Sequence, residues 1–257
     1  MKINKFENKK GQIAIWIILG VAIVVVVLLL FVSLRKPVTP EIKIMSVQES
    51  IDGCVKKAVN DVADEMISHG GFVNPLNGRM YNGNAVAFLC ASRTLYKPCI
   101  NQHPMLLNEM KNEIVNYTKD KIESCFDSVK QQVEKENGKI ELGSMDLGID
   151  FAPGRIEVMI NRDVKIVENG QTENINKFSI DVINPLYDLA NVAIVISNEE
   201  AKRCYFEYQG YNLLHPEFIV SKFTQSDSTS IYSIKEQESG KVMHIAIRGC
   251  VISAGFG

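Results

Sequence analysis

The side chains with the clearest chemistry in this sequence are six cysteines: Cys54, Cys90, Cys99, Cys125, Cys204 and Cys250. Structural zinc sites usually contain closely spaced cysteine pairs such as C-x₂-C, and this sequence has no such pair. An even number of cysteines, all on one side of a long apolar segment, is typical of disulfides in an oxidising, extracytoplasmic compartment. We therefore predict disulfides, with a metal site and free thiols as the weaker alternatives.

Six cysteines can pair in fifteen ways, so the pairing has to be inferred from the elements that carry them. Two cysteines fall on the apolar faces of two predicted long helices, and packing those faces together would bring the thiols close. A second pair is near enough in sequence to close a small loop, and the third would join the last long helix to the final strand. The predicted disulfides are Cys54–Cys125, Cys90–Cys99 and Cys204–Cys250.

No residue pattern in the sequence selects a catalytic site, although the members of a serine–histidine–acid triad can lie far apart in sequence. Three of the four histidines directly precede a proline or a glycine, which is typical of loops and caps. There is no H-E-x-x-H zinc motif, no G-x-S-x-G elbow and no glycine-rich phosphate loop. The adjacent Glu199 and Glu200 resemble a catalytic pair, but we expect both in the first turn of a helix, where the helix dipole favours anions. We predict no catalytic residue, no metal and no cofactor, and leave enzymatic activity open.

One sequon for N-glycosylation is present, at Asn116-Tyr117-Thr118. In an extracytoplasmic domain Asn116 is a candidate glycosylation site, because it should lie away from the apolar face of its helix.

The charge of the chain argues against one class of partner. Its 257 residues carry a net charge of −2, with an isoelectric point near 6.1. Nucleic-acid-binding domains need an excess of basic residues to neutralise phosphates. We therefore predict no nucleic-acid partner.

Residues 13–34 form an apolar run without an ionisable side chain. Roughly 20 apolar residues in a helix span a bilayer core, and in lipid a helix satisfies its own backbone hydrogen bonds. A cleaved secretory signal has a shorter apolar region and a small-residue cleavage site, whereas this run is followed by Arg35, Lys36 and Pro37. We predict a basic cytoplasmic N-terminus over 1–12, a transmembrane helix over 13–34 and a proline-containing spacer over 35–45.

The charges flanking this run give the orientation. Basic residues before it slightly outnumber those after it, which favours a cytoplasmic N-terminus. The cysteines, all located after it, agree with an extracellular C-terminal domain. We predict a single-pass protein of the cell membrane, with the lipid bilayer as one partner.

The rest of the chain is predicted to be an α+β domain. Residues 46–138 form its helical part, with one helix capped by Ser46 and Glu49 and another from about Met105 to Lys135. Residues 139–257 form its β-rich part, in which alternating apolar residues and the turn at Asn169-Gly170 predict a hairpin. A helix opens at Asn184-Pro185, and Ser197 with Glu200 suggests that it restarts there. We expect a helical pair and then an antiparallel sheet covered by one or two helices.

The start of the chain resembles a known leader. Lys9-Lys10-Gly11-Gln12, directly before an apolar helix, is similar to the class III leader of archaeal type IV pilin-like proteins. That resemblance implies cleavage after Gly11, which would make Gln12 the new N-terminus. Trp16 stands where pilins commonly carry glutamate. The remainder is similar to uncharacterised archaeal single-pass membrane proteins, which share the mid-helix cysteine and a Gly70-Gly71-like helix end.

These patterns favour one function over two others. We expect a membrane-anchored extracytoplasmic protein with a disulfide-stabilised domain, used for binding or for cell-envelope assembly with a protein partner. The first alternative is a pilin-like subunit processed after Gly11. The second is a membrane-anchored extracytoplasmic hydrolase.

Overall fold

The computed structural model describes residues 19–30, 44–92, 94, 97–168 and 171–249. The chain divides into two compact units, Met1–Ser46 and Val47–Gly257. In the first unit, residues 19–30 form helix α1, and each of its large apolar side chains is about half exposed or more. Among the described residues, no helix combines the length and apolar character needed to span a bilayer. The rest of the predicted transmembrane segment lies outside those residues, so that prediction stays open.

The second unit contains four helices and eleven strands in its described residues. The helices are α2 (Ile44–Ser68), which begins in the first unit, α3 (Leu106–Lys135), α4 (Leu186–Arg203) and α5 (Tyr208–Leu214). The first four strands are β1 (Arg79–Tyr81), β2 (Asn84–Val86), β3 (Phe88–Ala91) and β4 (Ile100–Asn101). The next four are β5 (Lys139–Leu142), β6 (Asp146–Ala152), β7 (Arg155–Glu168) and β8 (Gln171–Ile183). The last three are β9 (Phe218–Thr224), β10 (Ser230–Glu236) and β11 (Val242–Arg248). The α+β prediction is confirmed.

The strands form two sheets and a small hairpin. In the four-stranded sheet β7 is central: β8 pairs along one edge, and β6 and then β5 pair along the other, all antiparallel. The five-stranded sheet has the order β4-β3-β11-β10-β9, and β3 runs parallel to β11 while its other pairs are antiparallel. Strands β1 and β2 form the hairpin.

Helices cover one face of each sheet. Helix α3 packs on β5 and β6, and the rings of Phe126 and Phe178 meet edge-on with centroids 5.3 Å apart. Helix α4 packs on β3, β10 and β11 of the five-stranded sheet. In β7 of the four-stranded sheet the buried apolar side chains alternate along the strand, as expected where one face is covered. In the five-stranded sheet β10 and β11 bury consecutive residues, because Ile231 and Ala246 form a second buried cluster with Val86 of β2.

Two features of the sheets differ from the prediction. The sequence indicated one antiparallel sheet in 139–257, whereas β3 and β4 come from the predicted helical part and complete a mixed sheet with β11. A short apolar stretch at Ala85 to Cys90 indicated a strand near β3, but strands of two to four residues carry too little alternation to show which sheet they join. Strand β3 depends on a partner far along the chain, β11.

Two predicted helix caps are also wrong. Helix α2 begins at Ile44, so Ser46 lies inside it rather than at its N-cap. Helix α4 runs unbroken through Ser197, whose buried hydroxyl donates a hydrogen bond to the carbonyl oxygen of Leu89 (3.3 Å) instead of capping a new helix. The predicted end of α2 is confirmed, because Gly70 (φ +78°) passes so close to the carbonyl oxygen of His244 that a Cβ would lie 2.8 Å from it.

Candidate binding cleft

A cleft of about 740 Å³ opens where four connections between elements converge. These are the turn between β6 and β7, the junction between β8 and α4, the start of β9 and the turn between β10 and β11. Ligand pockets in proteins typically measure roughly 300–1,000 Å³. We call this feature the acidic cleft, and it is lined by Pro153, Gly154, Arg155, Ile183, Pro185, Asp188, Glu217, Phe218, Glu236, Glu238 and Ser239.

Hydrogen bonds fix the inner wall of the acidic cleft. The backbone N–H of Gly154 donates to Oδ2 of Asp188 (2.8 Å), and the N–H of Asn184 donates to the carbonyl oxygen of Gly154 (3.1 Å). The Asn184 side chain is buried and donates to Asn60 (2.9 Å) and Asp64 (2.8 Å) of α2. The turn after β6 is therefore held against both α4 and α2.

The charge of the acidic cleft is negative, because four carboxylates line it and its one arginine is already paired. Arg155 donates to Glu157 (2.7 Å) and lies 3.7 Å from Asp181, and neither of those carboxylates lines the cleft. Burial raises the pKa of Asp188 above its usual value, in spite of the hydrogen bond from Gly154. Burial also acts on Glu236, but hydrogen bonds from Ser239 and Glu238 outweigh it and hold the pKa of that carboxyl below its usual value. Glu236 therefore carries its charge at neutral pH.

An apolar rim accompanies these carboxylates. Ile183, the last residue of β8, is 79% exposed although it lies at the cleft, and Phe218 is largely buried beside it. The cleft can therefore offer carboxylates to a cationic group and an apolar contact to the chain that carries it. The turns were visible in the sequence as Pro153-Gly154, Asn184-Pro185 and Ser239-Gly240, but their convergence was not.

The described part of the molecule contains two of the three predicted disulfides, Cys54–Cys125 between α2 and α3 and Cys90–Cys99 between β3 and the segment before β4. Cys125 is buried, whereas Cys54 is exposed at the margin of the α2 apolar face, so its predicted burial is wrong. Cys204 is disulfide-bonded at the end of α4, and its predicted partner Cys250 lies outside the described residues.

The remaining predicted sites are the leader and the sequon, and Asn116 does not line the acidic cleft. Gly11 and Gln12 lie outside the described residues. Asn116 is exposed on α3, but the hydroxyl of Thr118 is buried and donates to the carbonyl oxygen of Ile114 (2.7 Å). A glycosylating enzyme that has to contact both Asn116 and Thr118 could therefore act only before α3 packs on β5 and β6.

No triad or metal site forms in the described residues. Ser233 Oγ lies 2.8 Å from Nδ1 of His244, but in that part of the chain no carboxylate bonds the ring. Burial lowers the pKa of His244, which keeps the ring neutral. Nor do three or more His, Cys, Asp or Glu side chains there meet in a cluster able to hold a metal ion.

The structure corrects the interpretation of Glu200. This residue lies near the C-terminal end of α4, not in a first turn, and only 5% of it is exposed. Its carboxylate accepts a hydrogen bond from the buried Tyr232 hydroxyl and pairs with Nζ of Lys222 (3.0 Å). Burial and the neighbouring carboxylate raise the pKa of Tyr232 well above its usual value, so the phenol stays protonated and acts as a donor. No sequence signal pairs these residues, because they meet only when α4 packs on the sheet.

Comparison with known proteins adds no assignment to this site. No protein-family model matches the chain, and searches of curated proteins and of solved structures find no significant match.

Proposed function

We propose that this protein is a single-pass, membrane-anchored extracytoplasmic protein whose disulfide-bonded domain binds a partner in the cell envelope. The apolar run at 13–34 is the observation that carries the proposal. It has no ionisable side chain, and the described apolar side chains of α1 are exposed. Transfer of one Val, Leu or Ile side chain from water to an apolar environment is favourable by about 1.5–3 kcal/mol. A run of such exposed side chains therefore favours insertion into an apolar environment such as lipid. The disulfides agree with an oxidising compartment for the domain.

Binding is assigned to the acidic cleft on chemical grounds. Its carboxylates attract a cation, and the exposed Ile183 together with Phe218 offers apolar contact. The class of ligand that satisfies both is a protein segment carrying lysine or arginine, whose long side chain has an apolar stem and a charged end.

Substitution of Val25 and Val26 with arginine tests the anchor. Each arginine at the centre of a membrane helix costs about 2.5–3.5 kcal/mol on insertion scales, so the double variant should move from the carbonate-resistant membrane fraction to the soluble fraction. The matched control, Val25→Leu with Val26→Leu, should remain in the membrane. Extraction of the wild-type protein by carbonate would contradict the proposal.

Orientation is checked separately in intact cells. A protease that cannot cross the membrane should digest the domain after Pro40 once the disulfides are reduced. Complete protection of that region would place the domain in the cytoplasm.

Neutralisation of the acidic cleft tests its role in binding. Glu217 and Glu238 are exposed at the cleft, so the double change Glu217→Gln and Glu238→Gln should leave the fold intact. A hexalysine peptide should bind this variant about tenfold more weakly in calorimetry at low salt, because exposed charge pairs contribute about 0.5–1 kcal/mol each. Added salt should weaken the wild-type complex.

A matched control distinguishes binding at the acidic cleft from a general effect of the net charge of the protein. Glu134 and Glu136 are exposed at the end of α3, away from the cleft, and their replacement with glutamine changes the net charge equally. This variant should bind hexalysine as the wild type does. An equal loss in both variants would mean that the peptide senses only the net charge.

A further inference from the structure

A second, smaller cavity lies at the start of α3. Its volume is about 370 Å³, and we call it the α3 pocket. One wall is a polar stripe of α3 formed by Glu109, Asn112, Glu113 and Asn116, which lie on one side of three successive turns. The other wall is the segment 72–76 that follows α2. Its polar and aromatic side chains include Phe72, His103, Glu109, Asn112, Glu113 and Asn116.

The two walls of the α3 pocket are tied together. The backbone N–H of Val73 donates to Oε1 of Glu113 (3.1 Å), and the amide of Asn74 donates to the Tyr117 hydroxyl (2.9 Å). These bonds link the loop to α3 at two adjacent turns of the helix. The pocket is therefore held open in a defined shape without a ligand, which lowers the entropic cost of binding.

Two rings line part of the α3 pocket. The rings of Phe72 and His103 lie with their centroids 4.5 Å apart and are tilted by 44°. Nδ1 of His103 contacts Oε2 of Glu109 at 2.6 Å, so that nitrogen donates to the carboxylate and the ring is fixed in place. The other ring nitrogen has no hydrogen-bond partner in the described part of the chain and can form a hydrogen bond with a ligand.

Side-chain amides supply both donors and acceptors. Asn112 and Asn116 line the pocket, are exposed, and their amides form no hydrogen bond with any other described residue. Each amide offers two N–H donors and one oxygen acceptor. Glu113 keeps further acceptor capacity beside them, since only one of its oxygens accepts the Val73 N–H.

This set of groups selects a ligand class. Two carboxylates at the pocket disfavour an anion, and an ammonium ion would leave the amide N–H donors without acceptors. A hydroxyl group both donates and accepts, and the C–H face of a sugar ring can lie against an aromatic ring. We propose that the α3 pocket binds a saccharide, with the amides and Glu113 bonded to its hydroxyls and Phe72 beneath its ring.

This site is independent of the acidic cleft. The two cavities share no lining residue, so each can fail its test without the other. A glycan on Asn116 would occupy the same space, so the full-length protein for the test is produced in cells without N-glycosylation and held in detergent micelles.

The test is saturation-transfer NMR with methyl glycosides of glucose, galactose, mannose and N-acetylglucosamine at millimolar concentration. We expect transfer from the protein to at least one glycoside. Asn112→Ala should weaken that binding about tenfold, the loss of one to two hydrogen bonds. Asn108→Ala is the matched control: Asn108 is exposed one turn earlier on α3 and does not line the pocket.

Alanine is the best helix former, so neither change threatens α3. Binding unchanged in Asn108→Ala and weakened in Asn112→Ala supports the site. The proposal is overturned if none of the four glycosides shows transfer, or if both variants bind as the wild type does.

Discussion

Replacement of Cys54 and Cys125 with alanine is expected to lower the free energy of unfolding of the domain by about 4 kcal/mol. The two residues are 71 positions apart in the sequence. Without the crosslink the unfolded chain gains conformational entropy, and for a loop of this length that gain lowers the free energy of unfolding by about 4 kcal/mol at 25 °C. The total free energy of unfolding of a protein domain is only about 5–15 kcal/mol. The variant should therefore unfold at a clearly lower urea concentration than the wild type. Urea titration followed by circular dichroism measures the change.

The Cys90–Cys99 bond provides the comparison. Its loop is short, with a separation of 9, and the same relation assigns it about 2.5 kcal/mol. Alanine is preferred to serine at the buried Cys125, because a hydroxyl there would add the cost of an unpaired polar group. If the Cys54/Cys125 variant is the more stable of the two, loop entropy is not the main contribution of that bond.

Glu200→Ala should destabilise the domain by about 3 kcal/mol, although the same change at the adjacent Glu199 should cost at most about 0.5 kcal/mol. Removal of Glu200 leaves the buried Tyr232 hydroxyl without an acceptor and Lys222 without its counter-charge. Breaking a buried pair in this way costs about 3–5 kcal/mol, and partial exposure of Lys222 places the effect at the lower end. Glu199 only forms a surface pair with Arg203 (3.3 Å).

The two glutamates thus form a matched pair on consecutive positions of one helix. Thermal unfolding of both variants, measured at the same pH, compares them directly. Similar melting temperatures for Glu199→Ala and Glu200→Ala would show that the Glu200 network contributes no more than a surface ion pair.

The sequence predicted the elements with a long, regular period. Helix α3 was expected from about Met105 to Lys135 and runs from Leu106 to Lys135, because apolar residues recur on one face over eight turns. Strand β7 was found for the same reason, since Ile156, Val158 and Ile160 occupy alternate positions and are all buried, whereas Glu157 and Met159 between them are not.

Features that depend on distant partners were not predictable. The parallel pairing of β3 with β11 joins segments from opposite ends of the domain, and four residues of β3 give no sign of it. The environment of Glu200 was missed for a related reason: its neighbours Lys222 and Tyr232 lie on strands beyond α4. Both cavities are lined partly by loops, and the places where these loops meet depend on the packing of the whole domain.

Because β3 lies between β4 and β11, the five-stranded sheet can form only late in the synthesis of the chain. Strand β11 is the last strand of the described chain, so the centre of the five-stranded sheet stays incomplete until residues up to Arg248 have been made. Until then the buried side chain of Leu89 in β3 has no sheet around it, and β10 lacks one neighbour. Long-range pairing of this kind slows folding, and every residue up to Arg248 must leave the ribosome before the sheet can close.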